Sequence, residues 1–452
     1  MSTWAERKQT ELLAKLASVD GELAYWQAQA GPTGVLAKHH TQLARMAAEL
    51  TPVVARVRAD IQSADLSASW PQFERQVLDL HRVWDFFREK LALRYVDRFA
   101  DYLLAADEFA WACYEPMQQA ATAAGTVEPA AVREPPLVCF TPVSTPFSIP
   151  RGASYSQDVG GAALVSPVSR ALAQRLPIPV VGVPWYQLHH LPDALVIGHE
   201  VGHHVERDAR LTGTVQRLVV EAAGAGSAWD GWAAEAFADV YGVLCGGPAF
   251  AQVLADFLVV AGAEHAASED YPPVKLRVAL TVAALEAAAA AAGEREAAEA
   301  RAAITELRSG WADDGVMTDL GDQAPEAAAV AGALVAGPYP ELGGGPITRV
   351  VGFGAKRLAD HRDDAAALLD RRPPGTNDAR TLMAAAGRAY ALNPQAFAAS
   401  NVPDRVLRRM RAIQAPGVRE APQLAPADRP AVDARAADEL YTLLVGEDAS
   451  SS

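Results

Sequence analysis

Residues 194–208, ALVIGHEVGHHVERD, constrain the fold more than any other segment of the chain. The apolar residues that recur every four positions are Ile197, Val201 and Val205. This spacing predicts an α-helix, at about residues 192–207, that buries one ridge of side chains. His199 and His203 are also four residues apart, so they project together from another face of the same helix.

Two imidazoles at this spacing can bind one divalent metal ion. The residues form the pattern H-E-x-x-H, in which Glu200 follows the first histidine directly. Zinc catalysis requires neutral nitrogen ligands, a carboxylate base nearby and a coordination position left open for water. We therefore predict that His199 and His203 bind Zn²⁺ and that Glu200 acts as the general base.

A third metal ligand is predicted further along the chain, in residues 232–242, WAAEAFADVYG. Glu235 and Asp239 are four residues apart and share a helical face. Glu235 can complete a site made of two histidines and one glutamate. Asp239 can accept the N–H of a ligand histidine, which fixes the tautomer of that imidazole.

With these residues identified, the chain resembles the gluzincin metallopeptidases, which pair H-E-x-x-H with a glutamate ligand on a second helix, often within E-x-x-x-D. The resemblance implies a zincin-like fold with Zn²⁺ bound by His199, His203 and Glu235. It also implies that Glu200 is the general base and that Asp239 orients a ligand histidine. The expected substrate is a peptide or a protein.

Within that group, residues 137–280 are similar to soluble relatives of the CAAX-processing and heat-shock membrane peptidases. Residues 144–152, STPFSIPRG, resemble their N-A-F-x-x-P-G-G segment, and residues 271–277, YPPVKLR, resemble their H-P-P-x-x-x-R element. The chain lacks the Asn-Ala pair and has Tyr271 in place of the histidine. Tyr271 is our first candidate for the donor that stabilises the oxyanion, and His265 is the second.

A small β-sheet is predicted beside the helix that carries the two histidines. Strands are expected near residues 137–141, 154–156 and 179–183, with a short helix near 168–175. Prolines bound the third strand on both sides, which is typical of an edge position. We expect an extended peptide substrate to add to that strand by pairing with its free edge.

The rest of the chain is predicted to be helical, which makes the fold mainly α with a small sheet. Helical patterns cover residues 12–26, 36–61 and the stretch that follows Ser69-Trp70-Pro71. The predicted organisation has five parts: a helical domain at 1–124, a linker at 125–136, the peptidase domain at 137–310, a Gly/Pro-rich connection at 311–345, and a helical C-terminal region with an extended tail at 346–452.

Composition narrows the possible partners of this 452-residue chain. The formal charge of −15 argues against a general nucleic-acid binder. The three cysteines include no C-x-x-C pair, so we expect neither a disulfide framework nor a cysteine zinc site. No run of apolar residues predicts a membrane span or a secretory signal, and we expect a cytoplasmic protein.

Two other functions fit the sequence. The first is a non-catalytic scaffold, in which the terminal helical regions bind protein partners and a zinc ion holds the middle domain together. The second is a regulated peptidase whose helical arms limit access to the site. Hydrolysis of a non-peptide amide has less support.

Overall fold

The computed structural model describes residues 2–128, 132–141, 147–149, 166–176, 178–258, 271–292, 294–311, 323–413 and 429–446. Four long helices open the chain: α1 (Trp4–Gln29), α2 (His40–Ser63), α3 (Leu66–Ala92) and α4 (Asp97–Ala123). The expectation that the third helical pattern starts after Pro71 was wrong, because Pro71 lies inside α3. The Asp65 side chain accepts a hydrogen bond of 2.9 Å from the backbone N–H of Ser67, which fixes an earlier start.

Three strands form a mixed sheet: β1 (Leu137–Thr141), β2 (Phe147–Ile149) and β3 (Val180–Pro184). The strand order is β1-β3-β2; β1 is parallel to β3, and β2 is antiparallel to it. The strands expected near residues 137–141 and 179–183 are confirmed, whereas residues 154–156 lie outside the described part of the chain. The expectation that a peptide pairs with β3 was wrong, because β3 is the central strand and both of its edges are already paired.

The described residues in the middle of the chain form six α-helices. They are α5 (Pro167–Arg175), α6 (Ile197–Asp208), α7 (Thr212–Ala223), α8 (Trp229–Leu258), α9 (Val274–Ala292) and α10 (Glu294–Trp311). A 3₁₀ helix at Leu191–Val196 precedes α6, so the first turn predicted for that helix has tighter geometry. Gly247 interrupts α8 with a φ of 60°, which agrees with the break predicted at the Gly-Gly-Pro sequence.

Seven helices complete the described chain. They are α11 (Gln323–Ala336), α12 (Ile347–Val351), α13 (Ala355–Leu369), α14 (Ala379–Leu392), α15 (Pro394–Ala399), α16 (Val402–Arg411) and α17 (Arg429–Gly446). The range 311–345, predicted as a Gly/Pro-rich connection, includes α11. Its buried residues Ala327, Val330 and Leu334 recur at helical spacing and pack into the core, so the helix is held by burial.

The buried apolar residues form two clusters on opposite faces of the sheet. The larger cluster, called the main core, takes side chains from α4, α6–α9, α11 and α14. The smaller cluster, called the terminal core, takes side chains from α1–α3, α5 and α17. The mainly α fold with a small sheet is confirmed. The zincin-like domain and the five predicted boundaries stay predictions.

Among the described helices, α8 has the length and the apolar composition of a membrane span. Its most apolar window of 18 residues has a mean hydropathy of 1.3, but 94% of that window is buried inside the protein. Such burial is typical of a core helix.

Candidate metal centre

The site is built where α6 packs against α8, and Gly202 permits the close approach. A Cβ atom added at Gly202 would lie 2.9 Å from the Cα of Ala238. One added at Gly198 would lie at an ordinary contact distance, 3.6 Å from the Cα of Gly242. Because Gly202 carries no side chain, the backbones of the two helices can lie close enough for the imidazoles of α6 to reach the carboxylates of α8.

His199, His203 and Glu235 converge at this interface, with one ligand atom from each lying within 4.8 Å of the others. The two Nε2 atoms are 3.2 Å apart. Glu235 Oε2 lies 3.3 Å from His199 Nε2, and Glu235 Oε1 lies 3.2 Å from His203 Nε2. Tetrahedral ligands of Zn²⁺ with bonds of about 2.0–2.1 Å lie about 3.3 Å from one another. The separations therefore fit a zinc ion.

A second observation supports this fit. Glu235 Oε2 is buried and accepts no hydrogen bond from the described residues. A buried carboxylate oxygen without a hydrogen bond is costly, and binding a cation removes that cost. Three protein ligands also leave one tetrahedral position open, which is the arrangement found in catalytic zinc sites.

Asp239 and Arg277 orient the first histidine. The Nδ1–H of His199 donates to Asp239 Oδ1 at 2.8 Å, so the neutral form of this imidazole would present the lone pair of Nε2 toward Glu235 and a metal ion. The guanidinium of Arg277 in turn donates to both oxygens of Asp239, at 2.8 Å from Nε and 2.8 Å from Nη2. Its Nη2 also lies 3.5 Å from Glu235 Oε2. Arg277 therefore fixes Asp239 and contacts the predicted glutamate ligand.

Interactions between opposite charges shift the pKa values of His199 and Glu235. Burial lowers the pKa of His199, but the carboxylates of Asp239 and Glu235 outweigh it and raise the pKa to about 10. Burial raises the pKa of Glu235, but His199 and His203 outweigh it and hold that pKa well below its usual range. Glu235 is therefore ionised, as a metal ligand must be.

Glu200 lies on α6 beside the three predicted ligands and is only 6% exposed. Burial raises its pKa above the usual value, although the nearby histidines His199 and His203 oppose the shift. Its carboxylate accepts no hydrogen bond from the residues that the structure describes. A carboxylate with a raised pKa and no competing donor is suited to take a proton from water.

The structure does not bring together all the residues singled out in the sequence. Tyr271 is 51% exposed, and it lies near enough to Arg277 for its charge to affect the pKa of that guanidinium. The alternative donor His265 lies outside the described residues. The role of Tyr271 in stabilising an oxyanion stays a prediction.

Two residues contribute in ways that the sequence did not indicate. Arg277 was recognised only as part of the Y-P-P-x-x-x-R element, whose arginine gave no sign of its partner. His204, which follows the second histidine of the motif, is buried, and its Nε2 lies 3.3 Å from the backbone oxygen of Val180. It connects α6 to β3 and helps to fix the position of the helix that carries the motif.

Comparison with known proteins gives no relative for this arrangement. The chain matches no protein-family model, and no curated protein or solved structure shows significant similarity to it.

Proposed function

We propose that this chain is a zinc-dependent metallopeptidase that hydrolyses peptide bonds with Glu200 as the general base. One observation carries the proposal: α6 and α8 bring two imidazoles and a carboxylate to tetrahedral ligand separations of 3.2–3.3 Å, with Glu200 on the same helix. A packing role does not require this coincidence, because buried histidines in a core need hydrogen-bond partners rather than one another.

His199, His203 and Glu235 would hold the metal. When bound, Zn²⁺ would supply Lewis acidity that lowers the pKa of water and polarises a carbonyl group. Glu200 accepts the proton of the attacking water and delivers it to the leaving amine. Asp239 and Arg277 keep the His199 imidazole in the tautomer that presents Nε2.

The proposal is tested with Glu200→Gln, which removes the base but no metal ligand. We expect one zinc ion per chain in both proteins, measured by atomic emission. Hydrolysis of a fluorogenic peptide library should fall by about 10²–10⁴-fold in the variant. The matched control is Glu221→Gln on α7, whose side chain is 61% exposed and paired with Arg217. It should hydrolyse the library like the wild type.

The zinc content and the hydrolysis rate together distinguish a metallopeptidase from a non-catalytic scaffold. Zinc binding without any hydrolysis by the wild-type protein would support the non-catalytic scaffold instead. Loss of zinc in Glu200→Gln would mean that Glu200 is a ligand and that its role is misassigned. Cytoplasmic location, access regulated by the helical arms and protein partners at the terminal regions remain parts of the proposal that need experiments in cells.

A further inference from the structure

A separate cavity lies on the far side of the Gly247 kink from Glu235. Its volume is about 60 Å³, whereas one water molecule needs roughly 10–15 Å³, so it can hold more than a single water. Helices α8, α10, α13 and α14 enclose it. The residues that line it are Pro248, Ala249, Ala302, Ala303, Glu306, Leu358, His361, Arg362 and Arg388.

His361 is the main reason to regard this cavity as a binding site. The residue is 2% exposed, and neither ring nitrogen has a hydrogen-bond partner among the described residues. Leaving a buried polar group unpaired costs about 1–3 kcal/mol. Cavities lined only by apolar groups stay empty, but a cavity that contains an unpaired imidazole is suited to a polar ligand.

Positive charge surrounds this imidazole. Arg388 lines the cavity, and its Nε is a buried donor with no partner among the described residues. Arg357 Nη1 and Arg380 Nε are also buried donors without a hydrogen-bond partner among the described residues. Burial and these three arginines together lower the pKa of His361 to about 3, although Asp378 opposes them. The potential around the ring therefore favours an anion over a cation.

The acidic groups nearby are largely engaged. Glu306 lines the cavity and accepts a hydrogen bond of 2.7 Å from Arg388 Nη2. Asp378 accepts from the backbone N–H of Thr381 at 2.8 Å. Asp364 accepts from the backbone N–H of Gly375 with one oxygen and does not line the cavity. Unpaired donors thus outnumber unpaired acceptors around the cavity.

We propose that this cavity binds a small oxyanion of the size of inorganic phosphate, held by His361 and Arg388. One ring N–H of His361 and the Nε–H of Arg388 donate to the anion. The cavity is independent of the metal centre, because it uses α10, α13 and α14 together with the part of α8 beyond Gly247. His361 also lies against this kink: a Cβ added at Gly247 would be 3.1 Å from its ring.

The test is isothermal titration calorimetry of the full chain with inorganic phosphate at constant ionic strength, with chloride as the reference anion. We expect saturable binding of one phosphate per chain, unchanged when zinc is removed by a chelator. His361→Leu should weaken binding at least about tenfold, the usual effect of losing a hydrogen bond to a charged group. Lys356→Gln is the matched control, because it removes an exposed positive charge from the same helix.

A second variant covers the case in which His361→Leu does not fold. Arg388→Gln removes the other donor from a side chain that is 15% exposed, and it should also weaken binding at least about tenfold. The absence of saturable binding at millimolar phosphate would overturn the proposal. An equal loss of affinity in Lys356→Gln, or binding that disappears with the zinc, would also overturn it, since the anion would then be held by general charge or by the metal.

Discussion

Asp239 is the residue that orients His199 in the candidate metal centre. It is fully buried, accepts from His199 and is held by two hydrogen bonds from Arg277. Burial raises its pKa, but Arg277 and His199 outweigh this and lower it, so the carboxylate stays ionised. A charged acceptor makes the imidazole a stronger ligand than a neutral acceptor does.

Asp239→Asn should therefore lower zinc affinity by about 10–100-fold with little change in shape. Competition with a chromophoric chelator measures the effect. The control is Asp256→Asn, an exposed position near the end of the same helix that should leave the affinity unchanged. An unaltered affinity in Asp239→Asn would show that His199 does not depend on this carboxylate.

The His361 side chain should give stability a characteristic pH dependence. Its pKa is about 3 in the folded protein because of burial and of Arg357, Arg388 and Arg380, which Asp378 only partly offsets; the unfolded value is 6.5. Between these values the unfolded chain binds more protons, so this contribution to stability is complete above pH 6.5 and is lost as the pH falls toward 3.

Denaturant unfolding in phosphate-free buffer from pH 7 to pH 4 measures this loss. The free energy of unfolding of His361→Gln should fall less steeply than that of the wild type, because glutamine does not titrate. Parallel curves for the two proteins would show that His361 has an ordinary pKa.

At the scale of elements, the contact between α6 and α8 sets the distance between the proposed ligands. A methyl group at Gly202 would overlap the backbone of α8, with 2.9 Å to the Cα of Ala238 and 3.2 Å to the Cβ of Tyr241. The helices can accommodate it only by moving apart, which would separate His203 from Glu235.

Gly202→Ala should destabilise the fold by about 1–3 kcal/mol and weaken zinc binding together. Gly213→Ala is the matched control on α7, because nothing lies within 4 Å of its added Cβ. It should be neutral or stabilise by up to about 1 kcal/mol. Chemical denaturation and chelator competition measure both variants. Equal stability and equal zinc affinity in the two would show that α6 and α8 can accommodate a methyl group at Gly202 without moving apart.

The spacing of residues along the sequence predicted which site residues share a helical face. His199 with His203, and Glu235 with Asp239, are four residues apart, so their shared faces followed from helix geometry alone. The burial of α11 and the central position of β3 did not follow, because they depend on which distant segments pack together. Arg277 was missed for the same reason: its partner Asp239 is 38 residues away in the sequence.

At the scale of the whole molecule, a buried ion pair lies where the terminal helices meet the main core. Arg94, which follows α3, donates from Nη2 to Asp107 of α4 at 2.8 Å, and both side chains are at most 1% exposed. His39 Nε2 lies 3.2 Å from the same carboxylate. Asp107 also accepts from the backbone N–H of Val138 in β1 at 3.1 Å. The single carboxylate thus joins the segment between α3 and α4, α4 itself and the sheet.

Asp107→Asn should cost about 3–5 kcal/mol, because it leaves the guanidinium of Arg94 buried without its counter-charge. Asp101→Asn on the same helix is the control, because it breaks an ion pair at the surface. The side chain of Asp101 is 45% exposed, and that of its partner Arg411 is 59% exposed. That change should cost no more than about 1 kcal/mol. Thermal and urea unfolding compare the two, and similar losses would mean that the buried pair contributes no more than the surface pair.

The sheet contributes side chains to both cores, one from each of its faces. Leu137, Cys139 and Val180 face the terminal core, while Val138 and Val181 face the main core. Sliding β1 along β3 by one residue would turn Leu137 and Cys139 toward the main core and Val138 toward the terminal core. Truncating residues 2–92 would expose the apolar side chains of Leu137, Cys139 and Val180. The N-terminal helices therefore cannot be removed without leaving an apolar, aggregation-prone surface on the sheet that packs against α6.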